Sequence, residues 1–181
     1  MIIPDFYIKV FRGGSKNPLK LKSGEVYDSA IEIFDTDGKW LKRFEHVNTD
    51  PAPSQKGGII TAGVYYSIID DHEGTSGKKP YLAHILFIVD NDERYIAIKQ
   101  KSDLRESERT FPSKVPNPSQ GGAMKMKYIN IHMDGQNGNS KGCLTLPPED
   151  WPGFISYFER GQKGIVEIIE PEKNVTRRKT A

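Results

Sequence analysis

The sequence predicts a mainly β fold with one short helix and long loops. Two patterns carry this reading. Many short segments place apolar side chains at every second residue, and a single segment places them at helical spacing. A third observation bounds the size: 181 residues, 36% hydrophobic and 28% charged, fit one domain with its own core, and disorder is not the default.

The elements follow in order. In Asp5–Arg12, Phe6, Ile8 and Val10 fall on one face of a strand. Ser29–Asp35 gives a second strand, and the Asp35-Thr36-Asp37-Gly38 turn leads into Lys39–Glu45, a hairpin. Gly63–Asp70 is rich in β-branched and aromatic residues. Ala83–Asp90 and Arg94–Gln100 flank Asn91-Asp92 and read as a second hairpin; Tyr128–Met133 and Gly164–Glu170 complete the set. The one helix is placed at about Pro148 to Arg160, where Trp151, Phe154, Ile155 and Phe158 fall at i, i+3, i+4 and i+7. Glu149 and Asp150 suit its first turn, and Gly161 suits its stop. Three stretches read as loops: Asn48–Gly58, Asp71–Pro80 and the proline-containing Lys101–Lys127. Residues 1–181 read as a single catalytic-type domain, with 1–57 as an N-terminal β elaboration, 58–170 as the core and 171–181 as a basic tail.

Composition excludes several functions. A formal charge of +2 gives no basic excess of the kind a nucleic-acid binder carries. No run is long enough for a membrane span, so no membrane insertion is expected. The opening MIIPDFYIKVFRGG has no basic stretch followed by an apolar core and a small-residue cleavage site. The expectation is cytoplasmic storage, a signal-free export route, or a chain that begins after a leader. One cysteine forbids an internal disulfide and a multi-thiolate zinc site. His46, His72 and His84 show no HxH or HExxH spacing, so neither a metal nor another cofactor is expected.

The informative stretch is Tyr128–Leu146, YINIHMDGQNGNSKGCLTL. It starts as a strand, with Ile129, Ile131 and Met133 on one face and Tyr128, Asn130 and His132 on the other. Residues tolerant of positive φ then reverse the chain, which emerges at Ser140-Lys141-Gly142-Cys143. A free thiol is mostly protonated at neutral pH. A nearby imidazole takes its proton, and the imidazolium then stabilises the thiolate. The strand and its return segment bring His132 and Cys143 within reach. Gly142 leaves room for a substrate carbonyl, backbone N–H groups at Gly142 and Cys143 suit an oxyanion, and Lys141 adds positive potential. Taken alone, a single cysteine is more often a buried hydrophobe than a nucleophile, so both readings stand at this point. Ser140 is either an active-site hydrogen-bond partner or an ordinary turn serine.

His132, the seven residues after it, and Ser140-Lys141-Gly142-Cys143-Leu144 resemble the His…Ser-(His/Lys)-Gly-Cys-aliphatic motif of the L,D-transpeptidase (YkuD-like) catalytic domain. Thr61-Ala62-Gly63-Val64-Tyr65 resembles a strand start of these domains, with Ala62 in place of a proline. The resemblance spans about Gly58 to Glu170, but its specific part is His132 to Leu144. It implies a YkuD-like β-sandwich and no cofactor. It also implies a catalytic set of Cys143, His132 and Ser140, with Gly142, Lys141, Tyr128 and Asn130 as substrate-binding or oxyanion residues. The implied reaction is acyl transfer or amide hydrolysis on peptidoglycan stem peptides, in the periplasm or cell wall. The short His-to-Cys interval is similar to that of shorter relatives, which include phage and bacterial proteins and exported toxins. An antibacterial effector with an immunity or secretion partner is therefore one expectation. Thr145 stands where the family usually has arginine, and Met133 where it often has glycine. Those departures support a second reading, an inactive relative that binds cell-wall or protein ligands. A virion component with a cell-wall-facing β domain is a third.

Overall fold

The computed structural model describes residues 1–22, 24–51, 55–72, 79–135 and 141–172. Its strands are β1 Phe6–Phe11, β2 Leu19–Lys20, β3 Val26–Tyr27, β4 Ser29–Asp35, β5 Trp40–Val47, β6 Gly63–His72, β7 Tyr81–Phe87, β8 Thr110–Asn117, β9 Ala123–Lys127, β10 Asn130–Met133, β11 Leu144–Leu146 and β12 Lys163–Ile169. Two α-helices, α1 Asp92–Ala97 and α2 Trp151–Ile155, join them. The fold is mainly β.

Eight strands form one mixed sheet in the order β11-β10-β7-β6-β12-β1-β4-β5. β1 lies parallel to β12 and antiparallel to β4, so strands from both ends of the chain share its centre. Alternation builds it. In β1, Phe6, Ile8 and Val10 are buried and the residues between them are half-buried. The sheet curls until its two edge strands meet. Asn48, just past β5, and Thr145 in β11 exchange both backbone hydrogen bonds at 2.9 Å. This pairing satisfies edge groups that an open sheet would expose. The layers so formed enclose one core, to which β1, β4, β6, β7, β10, β11 and β12 all contribute.

Three local expectations are corrected. Arg94–Gln100 is not the second arm of a hairpin, because α1 runs from Asp92 through Ala97. The Asn91 side chain accepts from the Arg94 N–H at 2.9 Å, and Asp92 and Glu93 occupy the first turn. Tyr95 then packs with Ile68, Ile85, Phe87 and Ile98 on the outer face of β6 and β7. Lys101–Lys127 is not an open loop. It holds 3-10 turns and the β8–β9 hairpin, whose Phe111 and Met126 reach the core. Pro112 lies in this two-stranded ribbon with its carbonyl accepting from the Thr61 N–H at 3.1 Å. The helix near Trp151 is shorter than the spacing suggested and ends at Ile155, although Phe158 still packs into the core. Its second residue is Pro152 and its third Gly153, which allow a first turn but do little to extend it.

Candidate active site

β10 leaves β9 through Tyr128, whose φ of 57° is left-handed. That residue therefore stands outside the strand alternation, which corrects its placement beside His132. Its ring is exposed and lies over the Arg109 guanidinium, 5.7 Å from the ring centroid. Its carbonyl faces the Cys143 Sγ at 3.8 Å. Ile129 and Ile131 turn into the core, and His132 is half-buried on the other side of the strand.

β11 runs parallel to β10 and sets His132 opposite Thr145 in register. Cys143, one residue before β11, is thereby brought near the His132 ring, close enough that each group shifts the titration of the other. The imidazole Nδ1 lies 2.8 Å from the Met133 carbonyl. A carbonyl only accepts, so Nδ1 carries the proton and Nε2 is left to act as the base. The carbonyl that orients the ring therefore belongs to the next residue in the chain. The Asn130 N–H donates to Sγ at 3.4 Å, which favours the thiolate.

Charge is distributed accordingly. Burial pushes the Cys143 thiol up. The His132 imidazole, the Asn130 N–H and the nearby Arg109 guanidinium outweigh it and hold the thiol below its ordinary value. Burial pushes the His132 imidazole down, but Cys143, the Met133 carbonyl and Asp134 hold it above its ordinary value. The two shifts share one cause, the mutual influence of the thiol and the imidazole.

The glycine beside the thiol has a different use from the one its sequence context suggested. Gly142 is buried at φ 122°, and a Cβ there would lie 2.4 Å from Met126 Cε and 2.6 Å from the Gly58 carbonyl oxygen. Its missing side chain admits the β9 methionine and the 57–58 segment, not a substrate. Gly57 packs equally close, since its Cβ would fall 2.1 Å from the Lys141 carbonyl oxygen. Lys141 is exposed. Ser140 lies outside the described residues.

Sequence reasoning missed several groups. Arg109 is 7% exposed and donates to the Leu86 carbonyl, to the Ile129 carbonyl at 3.0 Å and to Asn130 Oδ1 at 2.9 Å. It so fixes the strand that presents Asn130 to the thiol. The His72 ring lies 4.5 Å from the His132 ring and stacks on Tyr81 at 5.2 Å. Behind the site, Glu25, Tyr27 and Asp134 are buried together; Tyr27 Oη donates to Asp134, and Asn48 Nδ2 donates to Glu25 Oε1 at 3.1 Å. No local pattern announces these contacts, because each joins residues distant in sequence.

Burial, and then the Asp134 carboxyl, pushes Glu25 up to about 7. The folded state therefore binds a proton that the unfolded chain has lost above its ordinary carboxyl pKa. The associated stability is complete below that pKa and is lost as pH rises through about 7. Glu25→Gln, which keeps the hydrogen-bonding shape of the protonated acid, is expected to raise the melting temperature at pH 8.5 by several degrees and to leave it nearly unchanged at pH 5. Melting curves of both proteins at the two pH values check this. A gain of equal size at pH 5 would refute the assignment.

No protein-family model matches this chain, and no curated protein matches it. Among solved structures, it is similar to the Ldtfm-avibactam carbamoyl enzyme, an L,D-transpeptidase, at 15% identity and a TM-score of 0.36. That match covers 92% of this chain and 49% of the other, so this chain spans about half the length of the structure it matches. No helix among the described residues is long and apolar enough to cross a membrane.

Proposed function

We propose that the protein is a cysteine acyltransferase or amidase acting on peptidoglycan stem peptides. The observation that carries this reading is the placement of His132 and Cys143 side by side, on β10 and just before β11, with Nδ1 committed to the Met133 carbonyl. The resemblance of the His132–Leu144 motif supplies the substrate class.

In this reading the Cys143 thiolate attacks the amide carbonyl carbon and forms a C–S bond. The carbonyl oxygen takes the negative charge, and backbone N–H groups flanking the cysteine are its candidate donors. As the tetrahedral species collapses, imidazolium Nε2 gives its proton to the departing amine nitrogen and the C–N bond breaks, leaving a thioester. An amine or water then attacks the thioester, Nε2 takes its proton, and Cys143 leaves as thiolate. An amine acceptor gives transpeptidation and water gives hydrolysis. Action on a cell wall puts the working protein in a periplasm or cell wall, and an exported effector with an immunity partner is one form this takes.

Purified peptidoglycan incubated with the native protein is expected to change its muropeptide profile, and Cys143→Ala is expected to remove the change, a loss of at least about 10³-fold in rate. Identical profiles from both proteins would sink the enzyme reading and leave a binding module in its place.

A further inference from the structure

The carbonyl that orients His132 belongs to the peptide group joining Met133 to Asp134. Hydrogen bonds fix that group at both ends. Its C=O accepts from His132 Nδ1 at 2.8 Å and from Tyr81 Oη at 3.4 Å, and its N–H donates to the Leu146 carbonyl at 2.8 Å. The Asp134 side chain springs from this same group. Covalent geometry keeps its carboxyl carbon within about 7 Å of the Met133 oxygen, whatever its rotamer.

That carboxyl is 3% exposed, and Tyr27 Oη donates to it. It is therefore an acceptor, the role of a carboxylate. Glu25 lies in the same buried cluster, with its Oε1 accepting from Asn48 Nδ2 at 3.1 Å. Pushed up to about 7, Glu25 is the neutral acid of the two below that pH, which leaves the negative charge with Asp134. Other titratable groups face the pair from each side. Tyr27 comes from β3, Tyr81 from β7 and Cys143 from before β11. Glu149, after β11, acts on Tyr27, and the His72 ring of β6 lies 4.5 Å from that of His132. A buried charge is little screened by salt, so the Asp134 carboxylate acts on the ring at this separation. Its effect on His132 is upward, the sense that favours an imidazolium.

We propose that Asp134 is a positioning residue for the reaction: its carboxylate, anchored on Tyr27, keeps His132 charged so that Nε2 holds the proton the leaving amine must receive. The proposal rests on His132 being the acid partner of Cys143.

Asp134→Asn keeps an acceptor for Tyr27 and removes the charge. Imidazole titration of both proteins by NMR reads the effect directly, with His72 followed in the same spectra. At the pH where His132 of the native protein is half protonated, the imidazolium fraction is expected to fall about fivefold in the variant. The neutral ring should keep its proton on Nδ1 in both, which shows the peptide group undisturbed. A fall of less than about twofold overturns the proposal; any larger fall supports it. A second measurement needs no variant. The Asp134 carboxyl carbon of the native protein is expected to show a carboxylate shift at pH 6, and a protonated Asp134 there overturns the proposal even if Asp134→Asn does not fold. In the peptidoglycan assay, the alkaline limb of the pH profile should move to lower pH in Asp134→Asn, because the acid is lost sooner. Failure of that assay with the His132 titration still displaced would remove the proposed reaction and leave Asp134 as the group that charges His132.

Discussion

His132→Ala is expected to slow modification of Cys143 by a neutral alkylating reagent at pH 6.5 by about an order of magnitude. Burial opposes ionisation of this thiol, and three groups overcome it, with His132 the largest of them. Removing the imidazole takes away the largest group that holds the thiol down. It leaves burial opposed only by the Asn130 N–H and the Arg109 field. The thiol should therefore ionise at a higher pH, and the rate profile should move to the alkaline side. The reciprocal holds for the ring. Cys143→Ala should bring the His132 pKa down, since burial then acts on an imidazole without its thiolate. Alkylation followed across pH, with histidine titration by NMR, measures both sides. A profile unmoved by His132→Ala would mean that the two residues are neighbours without being a functional pair.

Thr145→Arg is expected to destabilise the fold by about 4 kcal/mol or more, a large share of what a domain of this size possesses. Thr145 is fully buried between Leu144 and Leu146, and its backbone closes the sheet against Asn48. An arginine there would bring a charge and extra volume into the seam. Thr145→Val is the control. The Thr145 hydroxyl has no hydrogen-bond partner among the described residues, so its removal should change stability by less than about 1 kcal/mol. Urea denaturation of the three proteins separates the cases. Near-native stability of the arginine variant would show that the seam opens to solvent. The same burial gives a physical reason for a small uncharged residue at this position: in this chain, residue 145 is part of the closure.

Much of the fold was legible because alternation is a local signal. β1 and β12 are marked by side chains whose burial repeats every second residue, and the β4–β5 turn by Asp35 to Gly38. Where a segment's character depends on its neighbours, the reading failed. Asp92–Ala97 has the apolar content of either element, and the Asn91 cap together with the Tyr95 pocket decides for helix. Pro112 disguised β8, whose pairing requires a ribbon that only the folded chain reveals.

The sequence by itself determined the β character, the alternating core and the motif that singles out His132 and Cys143, because each is written in residues close along the chain. Only the tertiary structure decided what surrounds that pair. The Met133 carbonyl orients the ring, the Gly58 carbonyl and Met126 fill the space beside Gly142, and Arg109 arrives from the segment before β8. The last two of these bring together segments far apart along the chain, and no local pattern in a sequence encodes which distant segments will meet.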